Sequence, residues 1–254
     1  MSLSKTEYLL IHNEYEYRPN VRVSFTKVIV LVMCFPLLAF LFCIIYSVIF
    51  NFEKATYTHC QVFNFLPSIS AAIGNFSPQR EIWQTAMTLQ LFPRILVARE
   101  YLNHHHKMLH SEHMWMGYMA FILNIVENIS LITLSFFTSS RYYAVHEKAF
   151  VIFILVSVAH MFLMNFIQRK YKRPQKYSMI WKRRCFFTNF IFILLAAFFF
   201  ARHNSLCEPY VYSLFAASEY MVVLSNIAFH FTAYLDFNQK DLVIFKHGFA
   251  VTDR

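Results

Sequence analysis

Six apolar blocks, each of spanning or near-spanning length, constrain this chain more than any other feature: residues 25–50, 82–98, 114–137, 149–167, 185–201 and 210–237. A helical span needs about 20 predominantly apolar residues, because every backbone N–H and C=O must be satisfied within the segment once water is excluded. The blocks lack the polar face that a soluble helix keeps. A composition of 57% hydrophobic and 19% aromatic residues with only three glycines fits no soluble domain. The sequence is therefore read as an all-α polytopic membrane protein, a bundle of six transmembrane helices with both termini cytosolic.

The connections supply the topology. Residues 1–24 are polar and form a cytosolic segment without a cleavable signal. The first block has 23 uncharged residues after Lys27, too many for a signal-peptide core. Residues 51–80 are too apolar for a free loop and are expected to form a lumenal cap folded onto the bundle; its Asn75-Phe76-Ser77 triplet carries little weight as a glycosylation site. The second block is the weakest, interrupted by Gln84, Gln90, Pro93 and Arg94, so a re-entrant helix is its competing reading. The histidines of 103–113 are read as a solvated loop rather than a metal cluster, since three consecutive histidines cannot face one ion from a helix. Residues 168–184 hold eight Lys and Arg residues. With 238–254 as a cytosolic tail, 17 of the 23 basic residues lie in cytosolic segments and five in the opposite ones, as the positive-inside rule requires. The net charge of +9 is thus a topology signal, and nucleic acid is excluded as a partner.

Polar residues inside the blocks mark candidate sites. Glu219, Asn226 and His230 share one stripe of the last block, and Asn124, Glu127 and Asn128 share a face of the third. Counting about 1.5 Å per residue from the outer ends places Arg94, Glu127, His160 and Glu219 in one layer roughly 14 to 18 Å deep, with Asn124, Asn128 and Asn226 nearby. Such polar side chains also hold membrane helices together for about 1 kcal/mol each, but a charge in mid-bilayer costs about 2.5 kcal/mol or more. Both readings, function and interhelical glue, stay open for this layer. Trp83 is assigned to the outer interface, and Trp115 and Trp181 to the inner one.

A second cluster lies in the outer connections: His59, Arg80, His146, Glu147, Arg202, His203 and Glu208. Arginine forks suit a phosphate, and a histidine beside a carboxylate suits general-base work on a hydroxyl. Cys60 and Cys207 fall on this same side and form the natural disulfide pair if the compartment is oxidising. No CxxC occurs, and no metal site is assigned.

The stretches HCQVFNFLPSISAAIGNFSPQR (59–80), NIVENISL (124–131), HEKAF (146–150), RHNSLCE (202–208) and EYMVVLSNIAFHFTAYLDF (219–237) together resemble the post-GPI-attachment protein family of GPI-anchor lipid remodelling, within the wider Frag/DRAM/Sfk membrane-protein group. The chain departs from that pattern in its histidine-rich connection, at Leu206 and at Asn75. The resemblance implies a multi-pass protein of the Golgi membrane, or of the endoplasmic reticulum, that reacylates lyso-GPI at its sn-2 hydroxyl with a saturated chain. The alternative is a non-catalytic lipid-binding or accessory protein that presents lyso-GPI to another enzyme. A third reading, a proton-coupled carrier using Glu127 and Glu219, has no internal repeat behind it. Candidate catalytic residues are His59, His146, His160, His203, Glu127 and Glu219; candidate substrate-binding residues are Arg80, Arg94, Arg202, Asn124, Asn128 and Asn226. Membrane lipids and a GPI-anchored protein or lyso-GPI are the expected partners. No resident cofactor is expected, and acyl-CoA or a phospholipid would be the co-substrate. Five residues separate His230 from Asp236 where soluble glycerolipid acyltransferases have four, so the pair is not read as that motif; near the cytosolic end, both are read as structural if the chemistry lies on the outer leaflet.

Overall fold

A computed structural model describes residues 20–74, 76–171, 176–246 and 248–254. Asn75, most of the N-terminal segment and part of the basic run at 168–184 therefore lie outside the described residues. The protein is mostly helical: α1 (Phe25–Phe50), short α2 (Phe52–Thr56) and α3 (Ile69–Gly74), α4 (Gln79–Met108), α5 (Met114–Phe136), α6 (Tyr143–Tyr171), α7 (Lys176–Leu206), α8 (Val211–Phe231) and short α9 (Ala233–Asp236). Among the described residues, five helices are long and apolar enough to cross a membrane: α1, α5 with the 3₁₀ turn before it, α6, α7, and α8 continued through α9. The helix at the second block, α4, is 30 residues long but falls outside that group because of its polar side chains.

α4, α6 and α7 overrun their apolar blocks at both ends, since a helix continues its backbone ladder into the interface while its side chains turn polar. α6 begins at Tyr143 rather than 149, and α7 at Lys176 rather than 185. α4 runs through Pro93 and absorbs much of the expected histidine loop, burying His105 to 2% exposure. His104, His105 and His106 are therefore helical rather than part of a solvated loop, while His110 remains exposed.

α1 packs along α4, α4 along α5, α5 along α6, and α7 along α8. α7 lies at the edge of the bundle: 17% of its most apolar window is buried, against 44% for α8. Apolar clusters fill both ends. One joins Phe40, Cys43, Ile73, Trp83 and Met87, and another joins Met116, Met161, Met164, Ile167 and Phe229. Trp83 is thus a core residue, its indole N–H donating to Ser135 Oγ at 3.0 Å, and not an interfacial anchor. Trp115 and Trp181 are exposed, at 60% and 51%.

One feature departs from an all-helical chain. β1 (Val21–Ser24), β2 (Lys240–Phe245) and β3 (Gly248–Asp253) form a small antiparallel sheet in the order β1-β2-β3, with Val23 opposite Leu242 and Val243 opposite Ala250. The tail is therefore folded against the start of the first span. Phe25, Ile29, Ala233 and Phe237 bury the junction.

Candidate functional site

The inward stripes of α4, α5, α6 and α8 meet on Glu127. Its side chain is fully buried, and Oε1 accepts from Arg94 Nη2 at 3.3 Å and Asn226 Nδ2 at 2.8 Å, with His230 Nε2 at 2.9 Å. Oε2 faces His160 Nδ1 at 3.6 Å, too far for a hydrogen bond. The His160 and His230 rings stack with centroids 5.4 Å apart. Asn226 also donates to Ser157 Oγ at 2.7 Å, and Asn128 donates to the side chain of Asn124 at 2.9 Å. One carboxylate faces one guanidinium, with two imidazoles beside them. Two cavities of about 10 Å³ flank it, each with room for about one water.

Two sequence expectations change here. Glu219 is not in this layer, and His230, read as structural, is. Glu219 is instead taken by the cap that folds over the outer end of α8, a tertiary contact that counting along single helices does not show. His230 follows Asn226 by four residues on the same stripe, so the signal for it was present. Glu127, His160 and His230 offer ligand atoms within 4.8 Å of one another, as a metal site does, but Arg94 already opposes the one carboxylate.

Glu219 sits beneath the cap instead, accepting from the Ile69 N–H at 3.3 Å. The segment before α3 is bonded along α8: the Tyr210 N–H donates to the Phe63 carbonyl at 3.0 Å, the Phe65 N–H to Ser213 Oγ at 2.8 Å, and Tyr220 OH to the Pro67 carbonyl at 2.5 Å. A disulfide joins Cys60 to Cys207 beside the paired rings of His59 and His203, 5.6 Å apart. With Cys60 in that disulfide, the group His59, Cys60 and His203 has no thiolate to offer a metal.

The outer cluster divides. Arg202 holds Glu208 through two bonds of 2.6 and 3.0 Å, which keeps the Glu208 carboxyl below its usual range. Arg80 pairs with Glu81 at 2.8 Å. Both forks are thus occupied by neighbouring carboxylates. His146, in the first turn of α6, stands apart with Nδ1 2.8 Å from the Phe137 carbonyl and Nε2 2.9 Å from Ser70 Oγ. A carbonyl only accepts, so Nδ1 carries a proton, and in the neutral form of the ring Nε2 is the acceptor that faces the hydroxyl. Sequence reasoning named His146 but missed Ser70, which lies 76 positions away and is brought near only when the cap folds back.

A model of the Frag1/DRAM/Sfk1/Cwh43P N-terminal domain matches residues 24–240. A Drosophila melanogaster protein named Post-GPI attachment to proteins factor 2 is 41% identical over 233 residues, 89% of this chain and 91% of that one. A Xenopus tropicalis protein named Acyltransferase PGAP2 is 40% identical over 89% of this chain and 92% of its own. A Caenorhabditis elegans protein, also named Post-GPI attachment to proteins factor 2, is 34% identical over 87% and 89%. No solved structure matches this chain.

Proposed function

The chain belongs to the Frag1/DRAM/Sfk1/Cwh43P family, and from that premise we propose that it acts in GPI-anchor lipid remodelling by reacylating lyso-GPI at its sn-2 hydroxyl with a saturated fatty acid. The observation that carries this reading is His146, an imidazole fixed by the Phe137 carbonyl in the tautomer that accepts a hydroxyl proton. General-base removal of that proton is what an attacking alcohol needs in acyl transfer. Exposed Phe136, Phe137, Tyr142 and Tyr143 surround this end of α5 and α6, the aromatic signature of a lipid–water boundary, where glycerol ester groups reside.

The Glu127 centre is a less suitable reaction site. None of its side chains is more than 10% exposed, and the flanking cavities admit single waters rather than an acyl chain. Its part in this reading is to hold four helices in register. With the basic connections in the cytosol, His146 lies on the lumenal side, and the Cys60–Cys207 disulfide suits the oxidising lumen of the Golgi or endoplasmic reticulum. The donor is an acyl-CoA or a phospholipid.

The test uses full-length protein purified in lipid nanodiscs with lyso-GPI and either palmitoyl-CoA or a dipalmitoyl phospholipid. Saturated diacyl-GPI is the expected product. Folded protein that yields none with either donor overturns the enzymatic reading in favour of an accessory protein that presents lyso-GPI to another acyltransferase.

A further inference from the structure

We infer that the hydroxyl facing His146 is itself a nucleophile: Ser70 and His146 form a catalytic dyad that carries the acyl group as an ester on Ser70. This inference rests on the acyl-transfer reading and specifies its chemistry. Three requirements of an activated serine meet at one place. The nucleophile lies within hydrogen-bond reach of a base, Ser70 Oγ to His146 Nε2 at 2.9 Å. A third group orients the base, the Phe137 carbonyl at 2.8 Å from Nδ1. Both side chains are part-exposed rather than buried, so a substrate can reach them.

The three parts come from three segments: Ser70 from α3, Phe137 from the end of α5, and His146 from the first turn of α6. α3 itself is pinned by the Ser47 hydroxyl on the Ala72 carbonyl at 3.1 Å and by Glu219 on the Ile69 N–H at 3.3 Å, bonds to α1 and α8. This gives Glu219 a positioning role next to the nucleophile in place of the deep-layer role assigned from depth counting. Ser70 is thus held on scaffold formed by the bundle, as a reacting group needs to be.

The reaction proceeds in two balanced steps. In the first, Ser70 Oγ attacks the carbonyl carbon of an acyl ester or thioester donor while His146 Nε2 takes the hydroxyl proton. The donor's C–O or C–S bond then breaks, and His146 returns the proton to the leaving alcohol or thiol. In the second, the sn-2 hydroxyl of the lyso-lipid attacks the Ser70 ester and gives its proton to His146. The Ser70 C–O bond breaks, and the proton passes back to Oγ. No oxidant, reductant or metal is required.

The test is direct capture of the intermediate. Protein in nanodiscs is incubated with palmitoyl phospholipid or palmitoyl-CoA without acceptor, and the peptide containing Ser70 is analysed by mass spectrometry; a long-chain alkyl fluorophosphonate serves as a second probe. Both are expected to modify Ser70, and His146→Ala is expected to slow modification by about 100-fold or more. Ser70→Cys keeps a nucleophile at the site and is expected to convert the adduct into a thioester cleaved by hydroxylamine, a change that a purely structural serine would not produce. Ser70→Ala, checked for folding by its melting temperature and intact Cys60–Cys207 bond, is expected to reduce diacyl-GPI formation by at least about 100-fold. If folded Ser70→Ala forms product within a few-fold of the unsubstituted rate, or if active protein never carries label on Ser70, the dyad is overturned while reacylation stands. If the protein makes no diacyl product yet acylates Ser70 from a donor, the dyad stands and the acceptor is a different hydroxyl.

Discussion

Removing the Glu127 carboxylate would strand the Arg94 guanidinium in the bundle together with donors from Asn226 and His230. Breaking a buried pair from one side typically costs about 3–5 kcal/mol, whereas replacing both members by apolar side chains is often close to neutral. Glu127→Ala is therefore expected to lower the melting temperature in detergent sharply, and the Arg94→Leu, Glu127→Leu double substitution to recover much of the loss. The fluorescence of buried Trp83 provides the readout. Equal loss in the single and double variants would show that the two charges are not coupled. At this scale the shared burial of Arg94, Glu127, His160 and Asn226 was legible in the sequence, because a charge on an apolar helix has to turn inward. Sequence reasoning failed for Glu219 and Ser70. Both acquire their partners, Glu219 the Ile69 N–H and Ser70 the His146 ring, only through a tertiary fold of the cap that hydropathy does not mark.

The three-stranded sheet is the element that escaped the sequence. Strand β2 alternates, but its most buried positions are Asp241 and Val243 rather than an apolar pair, so the pattern reads as polar tail. Asp241 can be buried there because two arginines reach it: Arg22 of β1 through Nε at 2.8 Å and Arg254, just after β3, through Nε at 2.7 Å. The hydrogen bond from Arg254 is the main cause that holds the Asp241 carboxyl below its usual range. An ion pair between Lys240 and Glu100 ties the same strand to α4. A carboxyl whose folded value is depressed contributes stability above its unfolded value and loses it as pH falls through the folded one. Protection of the β1 and β2 amides against hydrogen exchange, corrected for intrinsic rates, is thus expected to be flat near neutrality and to fall in the acid range below the unfolded Asp241 value. Asp241→Asn should remove that acid dependence and lower protection at neutral pH; an unchanged profile would mean that the arginines do not hold the strands.

For the whole molecule the open quantity is the number of spans, and it turns on α4. Its 30 residues reach about 45 Å, more than the hydrocarbon core needs. What lowers its hydropathy is a set of polar side chains, yet Gln79, Gln90, Arg94, Glu100 and His105 are all 5% exposed or less. Gln79 reaches Ser47 of α1, Arg94 reaches Glu127 of α5 and Glu100 pairs with Lys240 of β2, while Leu89 and Phe92 are 52% and 60% exposed. A helix that is apolar outward and polar inward can span a bilayer although its mean hydropathy is low, because lipid meets only its outer surface. The fold thus favours α4 as a sixth span, with the cap and the α4–α5 connection on opposite sides of the membrane. Single cysteines at exposed Tyr57, Glu112 and Arg141, in a background lacking Cys34, Cys43 and Cys185, test this with an impermeant maleimide on sealed vesicles. Tyr57→Cys and Arg141→Cys are expected to label from one side, and Glu112→Cys only after permeabilisation or from the other. Labelling of Tyr57→Cys and Glu112→Cys from the same side would make α4 re-entrant and place the cap, Ser70 and His146 on a different side of the membrane from the one the acyl-transfer reading assigns.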